Sequence, residues 1–478
     1  LGGLVPVGVP ALVVAAFAVA AASAYLARSA AAAAGIAAAS GLLATLLAAA
    51  FATAEVAYQP LGPASLLVTA VLGAIFAYDL RLAADKRILR ESMAVALVVI
   101  VIIGSHWVAT ANLDRSQVVF EGKTMWQFLN ERPQPHVRQV DQVYYNAIRF
   151  KLRDGTPYYQ AVREAYHENT IWAADPPSVL SVREPLLPVT LAALPGDGRS
   201  VVWLMALVAT AASVSALFVA RNVSRLSARL AATAGVAAYF LYFTTMPFVF
   251  GFEAWGGALA VVVAACVGAA IASEDARRAT RLHAIAAGIA VLAVAIRELM
   301  LFLPVAGLVA AALLPAERRR DALIVWASAL VASAAVLGGH AAAASRIVTA
   351  TRDASAWLSM RGGVANVVAG LRHATRFMSA SETIVLIISA CGIAGAFLQK
   401  ERAYRAFLLI SIALPFTLFL MSWNGAVDEL TGKPVNYWGA IIAPLILALA
   451  PGVFGVLEGG LGRLSARLET ASQPRSND

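Results

Sequence analysis

Apolar blocks of spanning length follow one another along most of this chain, and a single long polar stretch, 114–199, interrupts them. That alternation constrains the fold more than any other feature. A helix needs about 20 apolar residues to cross the hydrocarbon core of a bilayer. Blocks of that kind are read at 4–27, 32–54, 63–80, 92–112, 200–220, 229–250, 255–273, 282–296, 299–314, 322–345, 381–398, 406–423 and 437–457. The expected fold is an all-α polytopic membrane protein of about 13 transmembrane helices, with one large exterior loop that carries short amphipathic helices. A β-barrel is excluded because the apolar runs are continuous rather than alternating. Only 14% of residues are charged, against about a quarter in soluble domains.

The net charge of +9 invites a nucleic-acid reading, but its distribution argues against one. Basic residues gather in short linkers between apolar blocks: Asp85 to Arg90, Arg221 to Arg225, Arg277 to Arg281, Arg318 to Arg320 and Lys400 to Arg402. This is the positive-inside pattern, which puts those linkers in the cytoplasm. The stretch from Asp114 to Arg199 lies one span away from the first two linkers and so faces the other side. Cys266 and Cys391 sit inside apolar blocks, which argues against a disulfide framework. The chain opens directly into an apolar run without a basic segment or cleavage pattern and is read as a span, not a signal peptide. The end, Glu469 to Asp478, is polar and expected to be disordered.

The run 282–314 is long for one helix and short for two, with Arg297, Glu298 and Pro304 inside it. Two helices are preferred, because that keeps Arg318–Arg320 and Lys400 on the cytoplasmic side. Arg297 then reaches the exterior surface. The segment with Arg346, Arg352, Arg361, Arg372 and Arg376 also becomes exterior, against the positive-inside tendency.

Asp141, Tyr144, Tyr145 and Ile148 recur at i, i+3, i+4 and i+7, which sets an acid, two phenols and an aliphatic residue on one helical face. The helix should run to Arg153 and stop at Asp154-Gly155. Thr156-Pro157 should cap the next helix, which carries Tyr158, Tyr159, Val162, Tyr166 and His167. Both helices are suited to lying along a membrane surface, and Tyr158 and Tyr159 suit interfacial anchoring. Downstream, Arg183-Glu184 is held between prolines just before a membrane entry. An Arg there offers a planar fork of donors for phosphate. Arg297, inside an apolar run, is costly enough to be a functional candidate by default. Its plain alternative is an ion pair with Glu298, but neighbours along a helix do not face each other. Asp114, His106, His167 and Asp428-Glu429 are secondary candidates.

The run from Asp141 through Tyr144-Tyr145, Gly155, Pro157 and Tyr158 to Arg183-Glu184-Pro185-Leu186 resembles the first exterior loop of GT-C glycosyltransferases, which use polyprenyl-phosphate sugars. The segment Val435 to Gly439 followed by Ala443-Pro444 resembles the last helix of that family. The resemblance covers roughly 92–457. It implies 1–91 as additional N-terminal helices, 92–457 as a catalytic module and 458–478 as a polar tail. It also implies a multi-pass enzyme of the cytoplasmic membrane with its active site facing outward. Asp141 would be the general base, and Arg183 and Arg297 would bind the donor phosphate. Tyr144, Tyr145, Glu184, His167 and Glu298 would be candidates for substrate contact. The partners implied are a polyprenyl-phosphate sugar donor, a glycan or glycolipid acceptor and membrane lipids, with no nucleic acid. The chain departs from the family in having Gln142 after Asp141 instead of a second acid, and no Arg at the start of the last helix. No metal ligand set and no cofactor are expected, with a divalent cation left open. The competing readings are a transporter or flippase of lipid-linked sugars and a polysaccharide ligase or polymerase.

Overall fold

The computed structural model describes residues 117–120, 123–133, 141–169, 175–176, 178–195, 198–219, 226–245, 251–348, 363–372, 382–421 and 437–453. The expected spans at 4–27, 32–54, 63–80 and 92–112 lie outside the described residues, as do His106, Asp114, Asp428, Glu429 and the C-terminal tail. Among the described residues the elements are helical apart from one short antiparallel ribbon, β1 (Gln117–Phe120) with β2 (Lys123–Thr124).

The polar stretch supplies α1 (Met125–Asn130), α2 (Asp141–Arg153), α3 (Tyr158–Glu168) and α4 (Leu186–Ala193). The bundle follows with α5 (Arg199–Val219), α6 (Leu226–Thr245), α7 (Phe252–Ala272), α8 (Ala276–Ile296), α9 (Phe302–Ala312) and α10 (Ala316–Ala344). It is completed by α11 (Gly363–Leu371), α12 (Glu382–Phe397), α13 (Arg402–Met421) and α14 (Ala443–Leu449). By length and composition, four of the described helices can cross a membrane: α7, α8, α10 and α13.

The run 282–314 is two helices. α8 ends at Ile296, Arg297 is extended at φ −149°, and a 3₁₀ turn, Glu298–Leu301, leads into α9. Pro304 gives the reason. Its ring lacks an N–H and would clash with the carbonyl one turn earlier, so a continuous helix breaks ahead of it, while the first turn of a new helix accepts it.

Contacts fix which helix ends lie together. At one end, Arg318 Nη1 donates to the Ser273 carbonyl at 2.6 Å and Tyr404 Oη to the Val219 carbonyl at 3.0 Å. This joins the α7–α8 and α9–α10 turns, and the end of α5 to the start of α13. Arg277, Arg278, Arg319, Arg320, Lys400 and Arg402 occupy those turns and helix starts. At the other end, Tyr145 packs on Phe252, with ring centroids 4.7 Å apart, and Asn366 Nδ2 donates to the Phe419 carbonyl at 2.7 Å. The helices of the polar stretch pack at this second end.

α2 stops as expected, at Arg153. Gly155, at φ +88°, makes the turn after it, a backbone conformation that favours glycine. Pro157 holds the cap position and Tyr158 begins α3, one residue later than expected. The expectation that α2 lies along a membrane surface is corrected. Residues 143–149 are all buried, polar Asn146 and Arg149 included. The cause is α1, whose end offers bare carbonyls: Asn146 Nδ2 donates to the Phe128 oxygen at 2.6 Å and Arg149 Nη1 to the Leu129 oxygen at 2.9 Å. Over 143–149 the polar side chains are thus paired inside the protein instead of facing a membrane surface.

Candidate functional site

The site forms where the Val182–Glu184 segment meets the break between α8 and α9. Three contacts hold the segment. Tyr158 Oη donates to the Arg183 carbonyl at 2.6 Å. His340, near the end of α10, places Nε2 3.0 Å from the Val182 carbonyl and Nδ1 3.1 Å from Tyr159 Oη. A carbonyl only accepts, so Nε2 carries the proton and Nδ1 accepts from the phenol. Tyr158 is thus buried and engaged, which corrects its reading as an interfacial anchor.

Arg297 is wholly enclosed, at 0% side-chain exposure, among carboxylates. Its Nη1 donates to Glu298 Oε1. Its Nε lies 3.0 Å from Glu253 Oε1, at ion-pair distance but too bent for a hydrogen bond. The guanidinium carbon sits 6.0 Å from the centre of the Trp438 ring, a cation–π distance. Arg297 and Glu298 are adjacent in the chain, yet their side chains meet, because the two residues do not share a helix. Arg297 is extended and Glu298 starts a 3₁₀ turn.

Glu298 links this buried pair to the segment above. Arg183 Nη1 is 3.8 Å from Glu298 Oε1, and both side chains are 22% exposed. The Glu184 carboxyl neighbours that of Glu298. Glu184 itself is only 1% exposed. Burial, followed by the adjacent Glu298, pushes its carboxyl up to about 9. Two guanidiniums, Arg183 and Arg297, therefore face three carboxyl groups, Glu184, Glu253 and Glu298. Arg183 and Glu298 form the accessible edge, with Arg297 and Glu184 behind it.

The other candidates distribute as follows. Tyr144 and Tyr145 are buried in an aromatic cluster with Tyr166 and Phe252, with ring centroids 4.7–5.1 Å apart. Burial, then the neighbouring phenols, holds the Tyr144 hydroxyl well above its ordinary range. Asp141 lies in α2, one turn ahead of those tyrosines. His167 is exposed, with Nε2 2.9 Å from Asp175 Oδ1, which Arg163 Nε also meets at 2.7 Å. Arg346 is exposed just past α10, and Arg372 is partly buried just after α11. Arg352, Arg361 and Arg376 lie outside the described residues. Among the described residues no three His, Cys, Asp or Glu side chains gather as a metal site.

Sequence reasoning missed Glu253, Trp438 as a partner of Arg297, and His340. A signal existed for two of them. An acid at the mouth of an apolar block and a histidine inside one are both costly in a membrane and mark partners to look for.

No family model matches this chain, and no curated protein matches it. Among solved structures, it is similar to the archaeal oligosaccharyltransferase AglB from Archaeoglobus fulgidus, in complex with an inhibitory peptide and a dolichol-phosphate. The identity is 13% and the TM-score 0.43, over 82% of this chain and 53% of that one. The chain thus spans about half the length of that enzyme. A superposition this loose transfers no residue and no role.

Proposed function

We propose that this chain is an integral-membrane glycosyltransferase that moves a sugar from a polyprenyl-phosphate donor to an acceptor hydroxyl at the exterior face of the cytoplasmic membrane. The observation that carries this reading is the ion cluster at the end of the bundle that receives the polar stretch. Arg183 stands at its accessible edge, on a segment fixed by Tyr158 and His340. A pre-positioned guanidinium stabilises the charge that grows on a leaving phosphate. Arg297, enclosed among carboxylates, acts through Glu298 as a positioning residue rather than as a direct phosphate contact. Asp141 serves as general base, on the resemblance set out above and on its place one helical turn from Tyr144 and Tyr145. The basic turns at the opposite end support an exterior location, because such turns favour the cytoplasm. Gathering of the charges at one end of the bundle speaks against the transporter reading, which expects a mid-membrane site.

The test uses the purified chain in lipid nanodiscs with a labelled polyprenyl-phosphate sugar. Replacing Asp141 with Asn should lower transfer by about 10²–10⁴-fold, the usual worth of a general base, while donor binding persists. Replacing Arg183 with Ala should weaken donor binding itself. Undiminished transfer by D141N removes the base assignment, and undiminished donor binding by R183A removes the phosphate assignment.

A further inference from the structure

Carboxylates accept hydrogen bonds and cannot donate them. Yet the carboxyl groups of Glu184 and Glu298 are neighbours at the site. Two buried oxygens of this pair, Glu184 Oε2 and Glu298 Oε2, find no donor among the described residues. One proton resolves both facts, since it makes one carboxyl a donor to the other.

The same proton decides the charge of the site. Arg183 and Arg297 carry two positive charges. Glu253, Glu298 and Glu184 would carry three negative ones if all were ionised. Holding one proton, the cluster is neutral and Arg183 can trade its 3.8 Å partner, Glu298, for an incoming anion. Without that proton the cluster is net negative, and an anion meets repulsion from three carboxylates.

We infer that Glu184 and Glu298 share one proton, and that this proton is what allows Arg183 to accept a lipid phosphodiester. The inference rests on the reading of Arg183 as the donor-phosphate contact. The groups that face the pair are Arg183 beside it, Tyr158 and Tyr159 from α3, Arg297 from the α8–α9 break, Glu253 from α7 and His340 from α10. The arginines stay charged. Burial holds both phenols above their ordinary range. The two nitrogens of His340 are committed to Val182 and Tyr159. The pair is therefore the group that titrates, near the value of about 9 to which Glu184 is raised. The sign follows from linkage. A bound anion favours the protonated pair, so binding retains a proton that the empty site gives up, and affinity falls as pH rises through that value.

The probe is a polyprenyl phosphodiester without a sugar, whose own charge does not change over this range. It is titrated into the full chain in nanodiscs between pH 7 and pH 10.5. Wild type should lose affinity above pH 9, by at most about tenfold per pH unit for one proton. In Glu184→Gln the fall should collapse to less than about twofold across the range, whatever the variant's affinity at neutral pH. A flat wild-type profile, or an undiminished fall in the variant, overturns the inference. Infrared difference spectra of the wild-type chain read the proton directly and need no variant to fold. A protonated-carboxyl band at pH 7 that fades above pH 9 is expected, and its absence overturns the shared proton. If the band is present but the phosphodiester binds at no pH, the functional reading fails and the proton pair stands.

Discussion

Arg149 and Arg297 are both buried almost completely, and the protein treats them in opposite ways. Arg149, 1% exposed in α2, is met by neutral oxygens: the Leu129 carbonyl at 2.9 Å and Asn146 Oδ1 at 3.2 Å. Burial, with a smaller push from Arg153, lowers its guanidinium to about 10. Arg297 is met by two carboxylates, with a third carboxyl group beyond them. The first arrangement closes off the end of α1 and staples it to α2. The second concentrates more charge than any staple requires, next to an accessible Arg183. A buried cation among carbonyls is explained by the helix end it closes, whereas one among carboxylates points to a ligand or a proton.

Breaking the second arrangement should cost most. Arg297→Met leaves Glu253 and Glu298 without the cation they share, and removing one partner of a buried pair costs about 3–5 kcal/mol. The melting temperature of the detergent-solubilised chain should drop steeply. Adding Glu253→Gln to that variant should recover part of the loss, and failure to recover it would mean that Arg297 is held by packing rather than by charge. Arg149→Met should cost less, about 1–3 kcal/mol, the penalty for leaving a buried carbonyl and amide oxygen without a donor. Its folded fraction should bind the phosphodiester as wild type does, and a selective loss of binding would erase the contrast between the two sites. Smallest of all is Lys151→Met. Lys151 meets Glu164 at 3.1 Å and Glu168 at 2.7 Å, but both acids are more than a third exposed. Such pairs are worth at most about 1 kcal/mol, and the melting temperature should barely move.

Helix starts, stops and breaks were legible in the sequence because they depend on neighbours along the chain. The Asp141–Arg153 helix, the Gly155 turn and the division at Arg297 ahead of Pro304 are all local. The enclosure of α2 was not legible, because periodicity at Tyr144, Tyr145 and Ile148 marks one apolar face and cannot show that α1 will satisfy the polar one. The cluster was legible only in half. Arg183, Glu184, Arg297 and Glu298 stood out singly, each as a charge beside proline or inside an apolar run. Nothing local tied Glu184 to Glu298, or Arg297 to Glu253, since those pairs meet only once α7, α8 and the polar stretch have packed.

Every residue of α14, Ala443–Leu449, is buried, in a slot formed with α6, α7 and α12. Glycines at 257, 392 and 395 let the backbones touch there, and a methyl group on any of them would strike the chain around 440–449. This helix is synthesised after the described helices that form its slot. The slot between those helices should therefore stay unsealed until the ribosome delivers the wedge that fills it. Truncation ahead of residue 443 should thus give quality-control proteases an unsealed bundle rather than a slightly shorter protein.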